Sequence, residues 1–201
     1  MQKSIEIYYS RVARLYESRS KSWPWALLRN VERRAVENAL VGKRSNRTLD
    51  LGCGAGYYTQ MLYDRFGDRV VAIDSNREML RRVPDLIARK QMVDAHDSFG
   101  HADFDLVLCC GMLEFCESED KVFENIYTAL RAPGCAILLV PTNSFAGQIY
   151  YWAQRMRRIS IKLFGAQEIK YLSMRAGFNF TSTVRVRPWS LLVELRKNDI
   201  G

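Results

Sequence analysis

The chain has 201 residues, a length that suits one α/β domain and leaves little room for a second independent core. Hydrophobic residues make up 48% of it and charged residues 26%, which excludes a disordered chain, and no apolar run approaches the ~20 residues that a membrane-spanning helix needs. A formal net charge of +8 draws anions of every kind (nucleic acid, lipid headgroups, acidic metabolites) and by itself selects none of them.

The opening stretch, MQKSIEIYYSRVARLYE, lacks the continuous apolar segment of a secretory signal, so a soluble cytoplasmic protein is expected. Cys53, Cys109, Cys110, Cys116 and Cys135 show no paired C-x-x-C spacing; reduced core thiols are expected, with no metal site. Ile5, Tyr8, Tyr9, Val12, Leu15 and Tyr16 recur at helical spacing and predict an amphipathic helix over 5–16. A second helix is predicted over 26–40, with Leu27, Val31, Ala35 and Val36 on one side, ended by Gly42 and the polar run 43–47.

From Arg47 onward, short apolar runs alternate with helical patterns, the texture of βαβ units in a mostly parallel sheet. Strands are predicted at 47–51, 70–74, 91–94, 104–110, 135–141, 179–187 and 189–196, and helices near 56–66, 76–82, 119–131 and 166–176. The unbroken apolar runs at 106–110 and 136–140 read as central strands covered on both faces. The turn Arg187-Pro188-Trp189 is too short for a crossover helix, so the last two strands must form an antiparallel hairpin.

Thr48-Leu49-Asp50-Leu51-Gly52-Cys53-Gly54-Ala55-Gly56 runs from a strand into a glycine-rich turn at a helix start. Such a turn lets a ligand approach the backbone closely and offers it free N–H groups. Position 57, where a dinucleotide fingerprint would place its third glycine, is Tyr57, which disfavours NAD and FAD. Asp74 ends the next strand, about 20 residues beyond the turn, where a carboxylate grips a ribose diol in such folds. Capping of the helix that begins near Arg77 is the competing role for Asp74, and the two can coexist.

With LDLGCGAGYYTQML, VVAIDSNREML, VDAHD, FDLVLCCGMLEF and CAILLVP in that order, the sequence resembles the class I S-adenosylmethionine-dependent methyltransferases over about 47–196. Its YYSRVARLYE leader is similar to that of the quinone and small-molecule subgroup, whose first helices cap the cofactor pocket. The resemblance implies an α/β, Rossmann-like, seven-stranded, mostly parallel sheet with helices on both faces and a C-terminal antiparallel hairpin. One domain over 1–201 is expected, made of a helical cap at 1–42, a core at 47–196 and an acceptor-side segment at 142–165.

By position, the resemblance further implies that Asp50, Gly52, Cys53, Gly54 and Gly56 hold the methionine end of S-adenosyl-L-methionine, with S-adenosyl-L-homocysteine as product. Asp74 and Ser75 would take the ribose, Met79 would pack on the adenine, and Asp94 and Ala95 would meet its amino group, with Asp97 as a competitor. Met79 reads equally well as an ordinary core methionine. Cys110 and Gly111, followed by Met112 and Glu114, would border the sulfonium. Phe115 stands where many relatives carry His, which leaves the catalytic residue unassigned. His96 and His101 are candidate bases whose plainer reading is exposed loop histidines.

Nothing resembling Asp/Asn-Pro-Pro-Tyr follows the fourth strand, which argues against amino-methylation of DNA bases or glutamine amides. Within 142–165, Phe145, Tyr150, Tyr151 and Trp152 accompany Arg155, Arg157, Arg158 and Lys162. Three readings stay open for that segment: an aromatic pocket with a cationic rim, a helix at a membrane surface, and a solvated helix on the sheet. The expected partner is a small-molecule acceptor, aromatic or lipid-like, with peripheral membrane contact as a further reading. An RNA acceptor is supported by the charge alone, and a noncatalytic cofactor-binding protein is the third alternative.

Overall fold

The apolar runs become seven strands in the computed structural model, which describes residues 25–87 and 89–199. They are β1 (Thr48–Leu51), β2 (Val70–Asp74), β3 (Lys90–Met92), β4 (Phe104–Cys110), β5 (Leu130–Pro141), β6 (Asn179–Val186) and β7 (Ser190–Lys197). Among the described residues six α-helices accompany them: α1 (Trp25–Ala39), α2 (Tyr57–Phe66), α3 (Arg77–Leu80), α4 (Glu119–Ala129), α5 (Phe145–Met156) and α6 (Ala166–Arg175). The strands form one sheet in the order β3-β2-β1-β4-β5-β7-β6. Strands β1 to β5 pair in parallel, while β7 runs antiparallel to β6, as the short turn at 187–189 requires, and antiparallel to β5 as well.

Helices cover both faces. On one face Leu49, Val71, Val107 and Leu138 pack with Phe123 and Ile126 of α4 and with Ile169 and Leu172 of α6. On the other, Leu106, Leu108, Ile137 and Leu139 pack with Val36, Leu40, Met61 and Leu62, from α1 and α2 and their ends. Each side chain so buried stabilises the fold by roughly 1.5–3 kcal/mol, which makes β1, β4 and β5 the stable centre of the molecule. Cys109 and Cys110, adjacent on β4, fall into the two different clusters, as the alternation of a strand demands.

Three differences from the sequence reading have local causes. The helix expected to reach 131 stops at Ala129, because Leu130 already pairs with Phe104 of β4. β5 therefore starts earlier than 135, and Gly134 permits its path, since an added Cβ would lie 2.3 Å from the Arg131 carbonyl oxygen. α5 has no bounded counterpart among the predicted helices; Ser144 caps it by accepting from the Gly147 amide. The helix expected over 5–16 lies outside the described residues. Among the described residues, no helix is long and apolar enough to cross a membrane.

The chain builds outward from β1 to β2 and β3, then returns to lay β4 on the other flank of β1. The crevice beyond the carboxyl ends of β1 and β4 is thus the topological switch point, where open α/β sheets bind their ligands.

Candidate functional site

A cleft with about 970 Å³ of empty space, counted to its open mouth, occupies that switch point. The glycine loop forms its floor. Gly52, Gly54 and Gly56 all take positive φ, of 71°, 55° and 88°. At Gly52 a side chain is also excluded by contact, since an added Cβ would lie 2.3 Å from Cγ of Met112. At Gly54 the same atom would meet nothing within 4 Å, so bare backbone there faces open space. Gly56 does not line the cleft: it sits at the start of α2 and packs from behind against Val83 and Pro84.

Two desolvated carboxyl groups converge on this loop. Asp50, at 1% exposure, accepts a 2.6 Å hydrogen bond from the Thr59 hydroxyl. Burial pushes its pKa up to about 7, the Thr59 bond works against that, and the neighbouring Asp74 charge adds to it. Asp74 accepts from the Gly54 amide through Oδ2 and from the Asn76 amide through Oδ1, each at 2.8 Å. Burial raises its pKa as well, partly countered by those two amides. The cap of α3 is Asn76, whose side chain accepts from Glu78 and Met79, so Asp74 ties the loops and leaves the capping to its neighbour.

Ser75 and Met79 line the same cleft, with Met79 at 3% exposure, and beside them come Asp94 and Ala95. Asp94 Oδ1 accepts from the His96 amide at 3.0 Å and lies 2.7 Å from His96 Nδ1. The Ser118 amide donates to His96 Nε2 at 3.2 Å, so the consistent tautomer is a neutral ring that donates from Nδ1 to Asp94. Burial works to raise the Asp94 pKa, yet the His96 amide and ring bring it below its usual value. Asn125, buried on α4, donates to the carbonyls of Ala95 and Asp97 at 2.9 Å and fixes the turn from beneath. Asp97 itself does not line the cleft, and His101 is exposed away from it.

Cys110, Gly111 and Met112 close the far end, where β4 stops. Both the Cys53 and the Cys110 thiols are pushed well up by burial, so they are inert packing groups rather than nucleophiles. Glu114 stands behind Gly111 at 5% exposure, with Oε2 making no hydrogen bond among the described residues; burial pushes its pKa up to about 8.

The residues expected at the site thus meet in one cleft, Gly56 excepted. Arg29, Tyr57, His96, Phe115 and Cys116 line it too. Arg29 reaches it from α1 and lies 4.3 Å from the Tyr57 ring centroid. No motif marks Arg29, although Tyr57, directly after the glycine turn, was within reach of the motif reading. The segment 142–165 departs from an aromatic-lined pocket. Tyr150 stacks on Trp189 with centroids 5.6 Å apart and Tyr151 packs, like Phe115, against the cluster of Ile159 and Ile161, but Phe145 and Trp152 point to solvent and Lys162 pairs with Glu119 and Glu168.

Residues 49–138 match the family model described as a methyltransferase domain. None of the curated proteins matches the sequence. Among solved structures, the fold is similar to a chain of the complex between the Haloferax volcanii Trm112 methyltransferase activator and a methyltransferase, with a TM-score of 0.77, 17% identity and 95% and 98% of the two chains covered. It is similar to magnesium protoporphyrin IX methyltransferase from Synechocystis with bound S-adenosylhomocysteine, at a TM-score of 0.70, 14% identity and 88% coverage of each chain. It is similar also to the [4+2]-cyclase SpnF, at 0.71, 15% identity and 88% and 84% coverage, so this fold alone does not fix a reaction. The described residues thus carry the fold of these solved methyltransferases, and residues 49–138 within it are similar to the methyltransferase-domain model.

Proposed function

We propose that this protein is a methyltransferase that holds S-adenosyl-L-methionine in the switch-point cleft and passes its methyl group to a small-molecule acceptor, aromatic or lipid-like. The observation that carries the reading is the pair of desolvated carboxyls, Asp50 and Asp74, on either side of a glycine loop whose backbone at Gly54 faces open space. Acids held largely out of water, with their charged forms disfavoured, are matched to a cationic, hydroxyl-rich ligand, which supplies what the protein has removed from water.

Asp50 and the Gly52–Gly54 backbone would hold the amino-acid end, Asp74 and Ser75 the ribose, and Met79, Asp94 and Ala95 the adenine. When bound, the cofactor supplies a methyl group already activated by its sulfonium. The protein's own work is then to position the acceptor and keep water out, which Cys110, Gly111, Met112 and Phe115 would do from the far end of the cleft. The acceptor would enter between α1 and the segment 142–165, whose Tyr150, Tyr151, Ile159 and Ile161 form one apolar group with Phe115.

Calorimetry in buffers of different ionisation heat tests the reading. An ammonium beside Asp50 lowers its pKa from about 7, so binding near neutral pH must release protons. Binding with proton release that disappears in Asp50→Asn is the expected result. Binding that leaves the proton count unchanged would remove Asp50 from the site, and failure to turn over any of a broad panel of acceptors would remove the transferase reading.

A further inference from the structure

Helix α5 carries an apolar face that the rest of the described chain leaves bare. Phe145, Ile149, Trp152 and Met156 are 86%, 56%, 60% and 86% exposed. At 3.6 residues per turn their spacing puts all four within an arc of about 60°. The opposite side of the helix is the one that packs: Gly147 is buried, with no room for a Cβ beside the Thr142 carbonyl, and buried Gln154 donates to the Tyr150 hydroxyl at 3.0 Å. The helix is therefore oriented by its inner face, and its outer stripe is presented outward as a unit. Single exposed apolar side chains are ordinary on protein surfaces; four large ones in one stripe are not.

Along the chain, the charge flanking this stripe has one sign. No Asp or Glu occurs between Glu124 and Glu168, a stretch that holds Arg131, Arg155, Arg157, Arg158 and Lys162. Arg155, Arg157 and Arg158 are exposed, and none forms an ion pair among the described residues, whereas Lys162 is already paired with Glu119 and Glu168. An apolar ridge whose tail carries three open arginines has the pattern of a helix lying in the plane of an anionic bilayer, with the side chains in the acyl boundary and the cations among the headgroups. RNA would be served by the arginines but gains nothing from Ile149 and Met156, which offer no ring to stack on.

We propose that the outer face of α5 docks this protein on an anionic lipid surface, with Phe145, Ile149, Trp152 and Met156 inserted and Arg155, Arg157 and Arg158 at the headgroups. The inner side of the same helix belongs to the cluster of Tyr150, Tyr151 and Phe115, and Phe115 lines the cleft. The cleft and the helix that carries the docked face thus share the side-chain cluster around Ile159 and Ile161.

Flotation of the full chain with phosphatidylcholine vesicles, with and without about one-third phosphatidylglycerol, tests this directly. The chain should float with the anionic vesicles and stay behind with the neutral ones. Ile149→Gln and Trp152→Gln should each weaken vesicle binding roughly tenfold, and Arg157→Gln about fivefold. Affinity for S-adenosylhomocysteine should not change in any of the three, which shows that their fold is intact. Absence of flotation overturns the proposal. So does flotation that salt abolishes and the two apolar substitutions leave untouched, because a basic surface without the stripe would then suffice. A sedimenting dimer that Trp152→Gln dissociates would assign the face to a second copy, and RNA binding that depends on Trp152 would assign it to nucleic acid; either result ends the lipid assignment.

Discussion

Gly54 and Asp74 are joined by a 2.8 Å hydrogen bond from the Gly54 amide to Asp74 Oδ2, which ties the glycine loop after β1 to the acid ending β2. The remaining lone pairs of a carboxylate that already accepts two amides have a fixed direction, which is what recognition of a vicinal diol requires.

Asp74→Ala is therefore expected to lower affinity for S-adenosylhomocysteine by about 10- to 100-fold, the loss of charge-assisted hydrogen bonds. Asp74→Asn should lose less, because its remaining carbonyl oxygen can still accept one of the two amides. Calorimetry on the two variants checks the order; equal affinity for both variants and the parent protein would remove Asp74 from the ribose role.

Gly52→Ala adds a methyl group where Met112 already stands and demands a φ of 71° from an L-residue. The expected cost is at least about 2 kcal/mol of stability, from overpacking and backbone strain together. Urea denaturation measures it. Gly54→Ala meets no neighbour, so it should cost less stability than Gly52→Ala while still obstructing the ligand space.

Asn125 lies on α4 and does not line the cleft, yet its side-chain amide holds the carbonyls of Ala95 and Asp97. Asn125→Ala leaves both carbonyls without that donor, and about 1–3 kcal/mol of stability should be lost. Cofactor affinity should fall severalfold as the 94–97 turn loosens. Thermal melting and calorimetry on one sample check both effects.

Glu114 makes stability depend on pH in a direction that can be worked out. Its folded pKa is about 8 against an ordinary value of 4.5, so between those limits the folded chain keeps a proton that the unfolded chain has released. The carboxyl's contribution is fully present below pH 4.5 and fades as pH rises toward 8, by about 1.4 kcal/mol per pH unit. Glu114→Gln removes this slope, so the melting temperature of the variant should gain on that of the parent between pH 5 and pH 8. Asp50 titrates alike in both proteins and cancels in the comparison. A difference independent of pH would show that Glu114 is already ionised in the fold.

The fold was legible wherever short-range pattern carried it. The strands end within a few residues of where apolar runs and glycine turns place them, and only β5 begins much earlier, at Leu130, because pairing with Phe104 is a long-range event that no local pattern records. Gly52, Gly54 and Asp74 were legible because they stand at fixed offsets from the first two strands, whereas Asp50, Asp94 and Gly111 came only with the family resemblance. Arg29 was not legible, since a helix residue with no motif joins the site only through tertiary packing. For the aromatic segment a helix was only one of the open readings, without bounds; which of its rings turn inward depends on the contact of Gly147 with Thr142, and Phe145 and Trp152 fell on the outward side.

The most direct test of the whole account is a crystal structure of the protein with S-adenosylhomocysteine. The ligand should lie across the ends of β1 and β4, its ribose on Asp74, its amino group toward Asp50 and its adenine beside Met79 and Asp94. Density for the ligand elsewhere on the protein, or in this cleft with the ribose turned away from Asp74, would contradict it.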